Sequence, residues 1–168
     1  MALGKRHSAM LPPPLLDWFH RGKGEPLPFQ TELWPHHAAG RSGLLHAPTG
    51  FGKTLAAWLG PVADALQHHS PDKPAPCSVL WITPLRALAA DPLQSLRDPV
   101  AAVAPAWETE ARTGDTSSHR RAKLRQRLPF GLVTTPESLS LMLTYPDFRE
   151  KLRHLQTVII DEWHELLG

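Results

Sequence analysis

The chain has 168 residues, enough for one buried core and therefore one domain. Apolar residues make up 42 % and charged residues 20 %, ordinary globular usage that argues against a disordered chain and against a membrane protein. The net charge of +2 neither demands nor excludes a nucleic-acid partner, so any such signal has to be local.

In chain order, residues 1–14 mix Gly4, Lys5 and Arg6 with Pro12-Pro13-Pro14 and read as a loose lead-in to a domain over 15–168. Leu15, Leu16, Trp18 and Phe19 suggest a short amphipathic helix. A turn region with Gly22, Gly24 and Pro26 follows, then a helical composition over 29–39 that Pro35 should kink or end early. Leu44-Leu45-His46-Ala47 reads as a brief strand feeding a glycine-rich turn. The next segment, 53–68, carries Leu55, Trp58, Leu59, Val62 and Leu66 at helical spacing, with a kink expected at Gly60-Pro61.

After a Pro-rich connector, Cys77 opens a strand and is expected to pack rather than react. Val79 to Thr83 is apolar on both faces, as in the middle of a parallel sheet covered by helices, and completes a βαβ unit. A helix starting at 85–90 should be broken by Pro92 and Pro99. Residues 107–112 alternate as a strand with one wetter face, formed by Glu108, Glu110 and Arg112. Ser117 or Ser118 can cap a basic helix to Leu128, which reads mainly as a solvated face. Leu132-Val133-Thr134 is a short strand, and Thr135-Pro136 offers a helix cap with proline at the first helical position. Thr157 to Ile160 is a β-branched strand running into Asp161. Strands alternating with helices predict a three-layer α/β sheet of the nucleotide-binding kind.

Other classes of site are weakly represented. A single cysteine forbids an internal disulfide, and with neither a secretory leader nor a long apolar span the expected location is cytoplasmic, with no membrane partner. The histidine pairs His36-His37 and His68-His69 are adjacent, so their side chains diverge, and no Cys-x-x-Cys or His-x-x-x-His spacing occurs. No structural metal is expected.

Two short motifs carry the chemistry. In Ala47-Pro48-Thr49-Gly50-Phe51-Gly52-Lys53-Thr54, Gly50 and Gly52 allow successive N–H groups to converge on an anion at a helix start. Lys53 can bridge terminal phosphates and the Thr54 hydroxyl can take a magnesium position. In Asp161-Glu162-Trp163-His164, the strand delivers Asp161 to the carboxyl edge of the sheet as a magnesium partner, leaving Glu162 to activate water. Cradle, cation and carboxylate pair together describe a site for ATP and Mg2+.

These motifs, with Thr83-Pro84-Leu85-Arg86-Ala87-Leu88-Ala89, Arg112-Thr113-Gly114-Asp115-Thr116 and Thr134-Thr135-Pro136-Glu137-Ser138-Leu139, occur in the order of motifs I, Ia, Ib, Ic and II of superfamily 2 DExH helicases, which the chain resembles from about residue 15 onward. The wording around them is most similar to bacterial ligase-associated DExH-box helicases of the Lhr type. The resemblance implies a RecA-like first motor domain. It also implies Thr49, Gly50, Gly52, Lys53 and Thr54 on the nucleotide, Asp161 on magnesium, Glu162 as base and His164 coupling hydrolysis to movement. Phe29-Gln30 resembles the adenine-reading motif, and Arg86, Thr113 and Thr135 become candidates for contact with single-stranded or partly duplex DNA, with RNA or a hybrid as alternatives.

The implied activity is an ATP-dependent 3′–5′ helicase or translocase in DNA repair, with a ligase or nuclease as a possible associate. Because Gly168 directly follows motif II, a Ser-Ala-Thr motif and a second motor domain are expected to be missing, ATP turnover by these residues alone to be slight, and a sheet edge to be exposed. The competing readings are a nucleotide- or partner-binding remnant without catalysis and a P-loop phosphotransferase.

Overall fold

The computed structural model describes residues 11–48, 50–84 and 92–166. Thr49, Arg86 and the helix start expected at 85–90 lie outside them. Three helices come first: α1 (Pro13–Lys23), α2 (Pro28–Ala38) and α3 (Lys53–His68). Strands and helices then alternate as β1 (Val79–Ile82), α4 (Pro92–Val103), β2 (Thr109–Arg112), α5 (Ser118–Gln126) and β3 (Gly131–Thr134). Helices α6 (Pro136–Leu143) and α7 (Pro146–Lys151), a 3-10 turn, β4 (Thr157–Ile160) and α8 (Trp163–Leu166) complete the order.

The four strands are all parallel, in the order β2-β3-β1-β4, and Trp81 of β1 stands level with Val133 of β3 and Ile159 of β4. Alternate residues supply two cores, as expected for a sheet covered on both faces. Val79, Trp81 and Val133 join Trp58, Leu59 and Leu96 from α3 and α4 on one side. Leu80 and Leu132 join Leu128, Met142 and Phe148 on the other. The three-layer α/β class read from the sequence is the observed one.

At the centre of the larger core Trp58 meets Trp81 and Phe130 edge-to-face at 6.2 and 6.1 Å, and its indole N–H donates to the Leu96 carbonyl at 2.9 Å. Such ring pairs add about 0.5–1.5 kcal/mol each beyond area burial. The Trp58 ring lies so close to β3 that a Cβ at Gly131 would come within 2.4 Å of it, which requires glycine there.

Several expectations are corrected. Leu11 is buried in the larger core and α1 starts at Pro13, so the ordered domain begins before residue 15; Pro13 and Pro14 occupy the first helical positions, where a missing N–H costs nothing. Helix α2 runs on through Pro35 to Ala38 instead of ending early, α3 continues through Pro61, and α4, which begins at Pro92, passes Pro99 without breaking. Packing outweighs the proline penalty: Trp34 of α2 donates its indole N–H to the Ala56 carbonyl of α3 at 3.1 Å, and the His37 ring lies against Gly60.

In β2 the buried residues are Thr109 and Arg112, so Arg112 leaves the wet face expected for it. The strand expected at 44–47 is not formed, and Leu44 is exposed. A single extended run needs a ladder partner to persist in water, and residues 44–47 form no ladder with the open edge of β4, from which the cleft separates them. The unit before β1 is therefore loop and helix, not βαβ.

Candidate functional site

The glycine-rich turn takes its shape from two left-handed residues, Gly50 (φ 85°) and Gly52 (φ 81°), the latter capping α3. Ala56 is the first residue whose N–H closes onto the turn, bonding the Gly52 carbonyl at 3.0 Å. Among the described residues the N–H groups of Lys53, Thr54 and Leu55 have no helical acceptor, and they form the positive end of a sixteen-residue helix, a natural place for an anion.

Gln30 supports this turn from behind. It is 2 % exposed; its amide oxygen accepts from the Leu27 N–H at 2.8 Å and its Nε2 donates to the Gly52 carbonyl at 3.1 Å. One N–H and one lone pair of the amide are left over. The sequence reading placed Gln30 on adenine; in the structure its contacts are with backbone, and its visible action is to position the phosphate turn.

Across the cleft, β4 delivers its carboxylates. The Asp161 N–H extends the ladder by donating to the Ile82 carbonyl at 2.8 Å, which places the residue at the carboxyl edge of the sheet. Burial and the neighbouring Glu162 push its carboxyl above the usual carboxylate range, while the Glu162 N–H, Lys53 and the Trp81 indole act the other way. The Glu162 N–H donates to Asp161 Oδ1 at 3.0 Å. Trp81 Nε1 is buried without a hydrogen bond of ordinary geometry, so Asp161 is its polar neighbour in an otherwise apolar setting. His164 Nε2 lies 3.5 Å from Glu162 Oε2.

Lys53, Thr54, Trp81, Asp161, Glu162 and His164 line one cleft of about 760 Å³, walled by residues 43–47 and 157–160. The structure thus unites the lysine, hydroxyl and carboxylates that are 107 or more positions apart in sequence for Thr54 and Asp161. Sequence reasoning missed Trp81. Its signal was its register, level with Ile159 and so on the same face as Asp161 two residues on.

Thr113 and Thr135 follow the carboxyl ends of β2 and β3. The Thr113 N–H bonds the Thr116 hydroxyl at 2.8 Å. Thr135 is buried and its hydroxyl accepts from the Ser138 N–H at 3.3 Å, the helix cap the sequence offered as its alternative role.

Comparisons with known proteins agree with this geometry. The DEAD/DEAH box helicase family pattern matches residues 27–168. The Lhr helicase/uracil glycosylase of Escherichia coli is 40 % identical over 96 % of this chain, which spans 12 % of that protein. The ATP-dependent helicase Lhr-Core of Methanothermobacter thermautotrophicus is 36 % identical over 97 % of the chain, which spans 20 % of it. The structure of Mycobacterium smegmatis helicase Lhr bound to ssDNA and AMP-PNP superposes with a TM-score of 0.78 at 37 % identity, over 93 % of this chain and 21 % of that one. The chain belongs to the DEAD/DEAH box helicase family and is of the Lhr type.

Proposed function

We propose that the chain is the ATP-binding first motor domain of an ATP-dependent 3′–5′ DNA helicase or translocase that acts in DNA repair. The observation that carries this reading is the single cleft in which Lys53 and Thr54 at the start of α3 face Asp161 and Glu162 at the end of β4. Its support from relatives is that the Mycobacterium smegmatis structure holds ssDNA and AMP-PNP. The chain spans only about a fifth or less of the relatives it matches, so the activity of a whole protein is part of the proposal.

Within this reading the helix-start N–H groups and Lys53 bind the β- and γ-phosphates. Magnesium fits the donors present, a Thr54 hydroxyl and an Asp161 carboxylate, since the ion favours oxygen and takes only one or two carboxylates beside phosphates. Bound there, it neutralises charge developing on the phosphates. Glu162 orients and deprotonates the attacking water, and His164 beside it in α8 couples hydrolysis to domain movement. Gln30 keeps the turn in shape.

Hydrolysis by these residues alone is slow. An arginine aimed at the γ-phosphate contributes roughly 10³ to 10⁵ in rate, and among the described residues the one arginine lining the cleft is Arg41, hydrogen-bonded to His36 at 3.0 Å. The second motor domain, the direction of travel, the role in repair, a ligase or nuclease associate and the cytoplasmic location rest on the resemblance to Lhr-type enzymes. Strand contact through Arg86, Thr113 and Thr135 rests on it too.

The test is binding of a fluorescent ATP analogue with magnesium to the parent chain, Lys53→Ala and Asp161→Ala, repeated with single-stranded DNA. Loss of binding in Lys53→Ala and tightening by DNA are expected. A folded parent that binds no nucleotide would overturn the reading.

A further inference from the structure

On the face of the sheet away from the nucleotide cleft, a second cavity of about 200 Å³ lies among α5, α6, α7 and the end of β2. It shares no lining residue with the first. Leu124, Leu132, Met142 and Phe148 form its apolar floor, and Arg112, Arg121, Arg125 and Lys151 surround it. The single acid on its wall, Asp147, is paired with Lys151 at 3.1 Å.

The three arginines are held there by specific contacts. Arg112 is 8 % exposed and donates through Nη1 to the Thr113 carbonyl at 3.1 Å; no carboxylate pairs with it among the described residues. Burial first, and then Arg121 and Arg125, lower its pKa. Arg121 donates through Nε to the Thr116 carbonyl at 2.7 Å and through Nη2 to the Gly114 carbonyl. The Arg125 guanidinium lies 4.5 Å over the Tyr145 ring.

The remaining charges of α5 behave differently. Arg120 pairs with Glu110 at 3.0 Å and Lys123 with Glu108 at 3.0 Å. Arg121 and Arg125, four positions apart and so on one face, are the ones turned to the cavity. Asp147, shared by Lys151 and Arg125, is the one acid facing four cations, so holding the buried Arg112 guanidinium beside two others opposes folding, and a bound anion relieves it. Guanidinium forks match phosphate oxygens in shape as well as charge.

We propose that this cavity is a second anion site, which takes a phosphate group through Arg112, Arg121 and Arg125. The phosphate comes either from a nucleic-acid backbone passing the carboxyl edge at Thr113 or from a small phosphorylated ligand. The site does not depend on the nucleotide cleft.

The test titrates inorganic phosphate into the chain while following the arginine side-chain Nε signals by NMR, then repeats with an oligothymidylate of about twelve nucleotides. Saturable shifts at Arg112 and Arg121 are expected, and Arg125→Gln should weaken binding by about tenfold, the value of one charged hydrogen bond. Lys123→Gln, which removes the same charge from the same helix, should leave it unchanged. Arg112→Gln risks the fold, so the exposed Arg125 carries the test. Competition between phosphate and the oligonucleotide identifies the backbone as the source, and phosphate binding alone identifies a small ligand; either supports the site. If the oligonucleotide binds but no arginine signal responds, or if Lys123→Gln weakens binding as much as Arg125→Gln, the anion site is overturned while the helicase reading stands.

Discussion

Gln30 and Gly52 fit each other at the limit of contact: the amide nitrogen bonds the glycine carbonyl at 3.1 Å and would lie 2.7 Å from a Cβ at that position. The left-handed φ of Gly52 excludes a side chain a second time. Gln30→Ala leaves the Leu27 N–H and the Gly52 carbonyl without this partner, at a cost of about 1–3 kcal/mol. It should lower the midpoint in a urea melt and weaken nucleotide binding together, and Gly52→Ala should do the same more severely. A Gln30→Ala chain that melts like the parent would refute the positioning role.

Asp161 makes empty-state stability depend on pH. Its carboxyl is raised above the ordinary 3.8 by burial first and by Glu162 second, so the folded chain holds this proton more tightly than the unfolded chain. Stability therefore falls as pH rises through the window from 3.8 up to the raised folded value, and stays lower above it. Asp161→Asn removes the charge and should raise the thermal midpoint of the nucleotide-free chain at neutral pH, with the advantage vanishing near pH 3.8. Bound magnesium nucleotide should reverse the order, because only the carboxylate answers the cation. Scanning calorimetry at several pH values, with and without nucleotide, checks both halves.

How far these features are legible in the residues depends on their range. Val79 to Thr83 and Leu132 to Thr134 read as strands because they are short apolar runs, which the structure buries on both faces, and Thr135-Pro136 reads as a cap because its chemistry is local. Lys53 and Asp161 read as partners through their motifs. Pro35 in α2 and Pro99 in α4 misled as helix breakers because tertiary packing supports what local preference opposes. Leu44-Leu45 misled in the other direction, since an apolar run without a ladder partner is not a strand. Arg112 looked wet by alternation, yet its burial is decided by α5, α6 and α7, which no short window of β2 contains.

Cys77 offers a clean chemical probe of folding. It is 2 % exposed within the smaller core, and burial pushes its thiol up to about 12. The thiolate is the reactive form, so iodoacetamide at mildly alkaline pH should leave the folded chain unlabelled and modify it only through opening. The labelling rate should follow the unfolded fraction across a denaturant series. Fast labelling of a chain with an intact melt would contradict the packing described.

Glu162 is the one non-glycine residue with positive φ among those described, at 47°. A left-handed backbone costs a side-chain residue about 1–2 kcal/mol. Glu162→Gly and Glu162→Gln both remove the carboxylate and its repulsion of Asp161, but only glycine releases the strain. The glycine variant should be the more stable of the two by about 0.5–1 kcal/mol, after allowing for its greater freedom when unfolded. Equal melting of the two would mean that the turn into α8 stores no such energy.

Among the described residues β4 pairs with β1 alone, so its outer edge presents free N–H and C=O groups. Val158 and Ile160 beside that edge are 51 % and 54 % exposed, an apolar pair where an edge strand usually carries charge. Antiparallel pairing of two such edges would bury both pairs of side chains and satisfy both ladders, so the chain should self-associate with rising concentration in sedimentation velocity. Ile160→Lys places a charge where water already reaches, leaving the melt of the monomer nearly unchanged while opposing the approach of a second edge. Association that persists in Ile160→Lys and Val158→Lys alike would move the contact elsewhere on the molecule, whereas its loss in both would fix β4 as the edge that needs a partner strand.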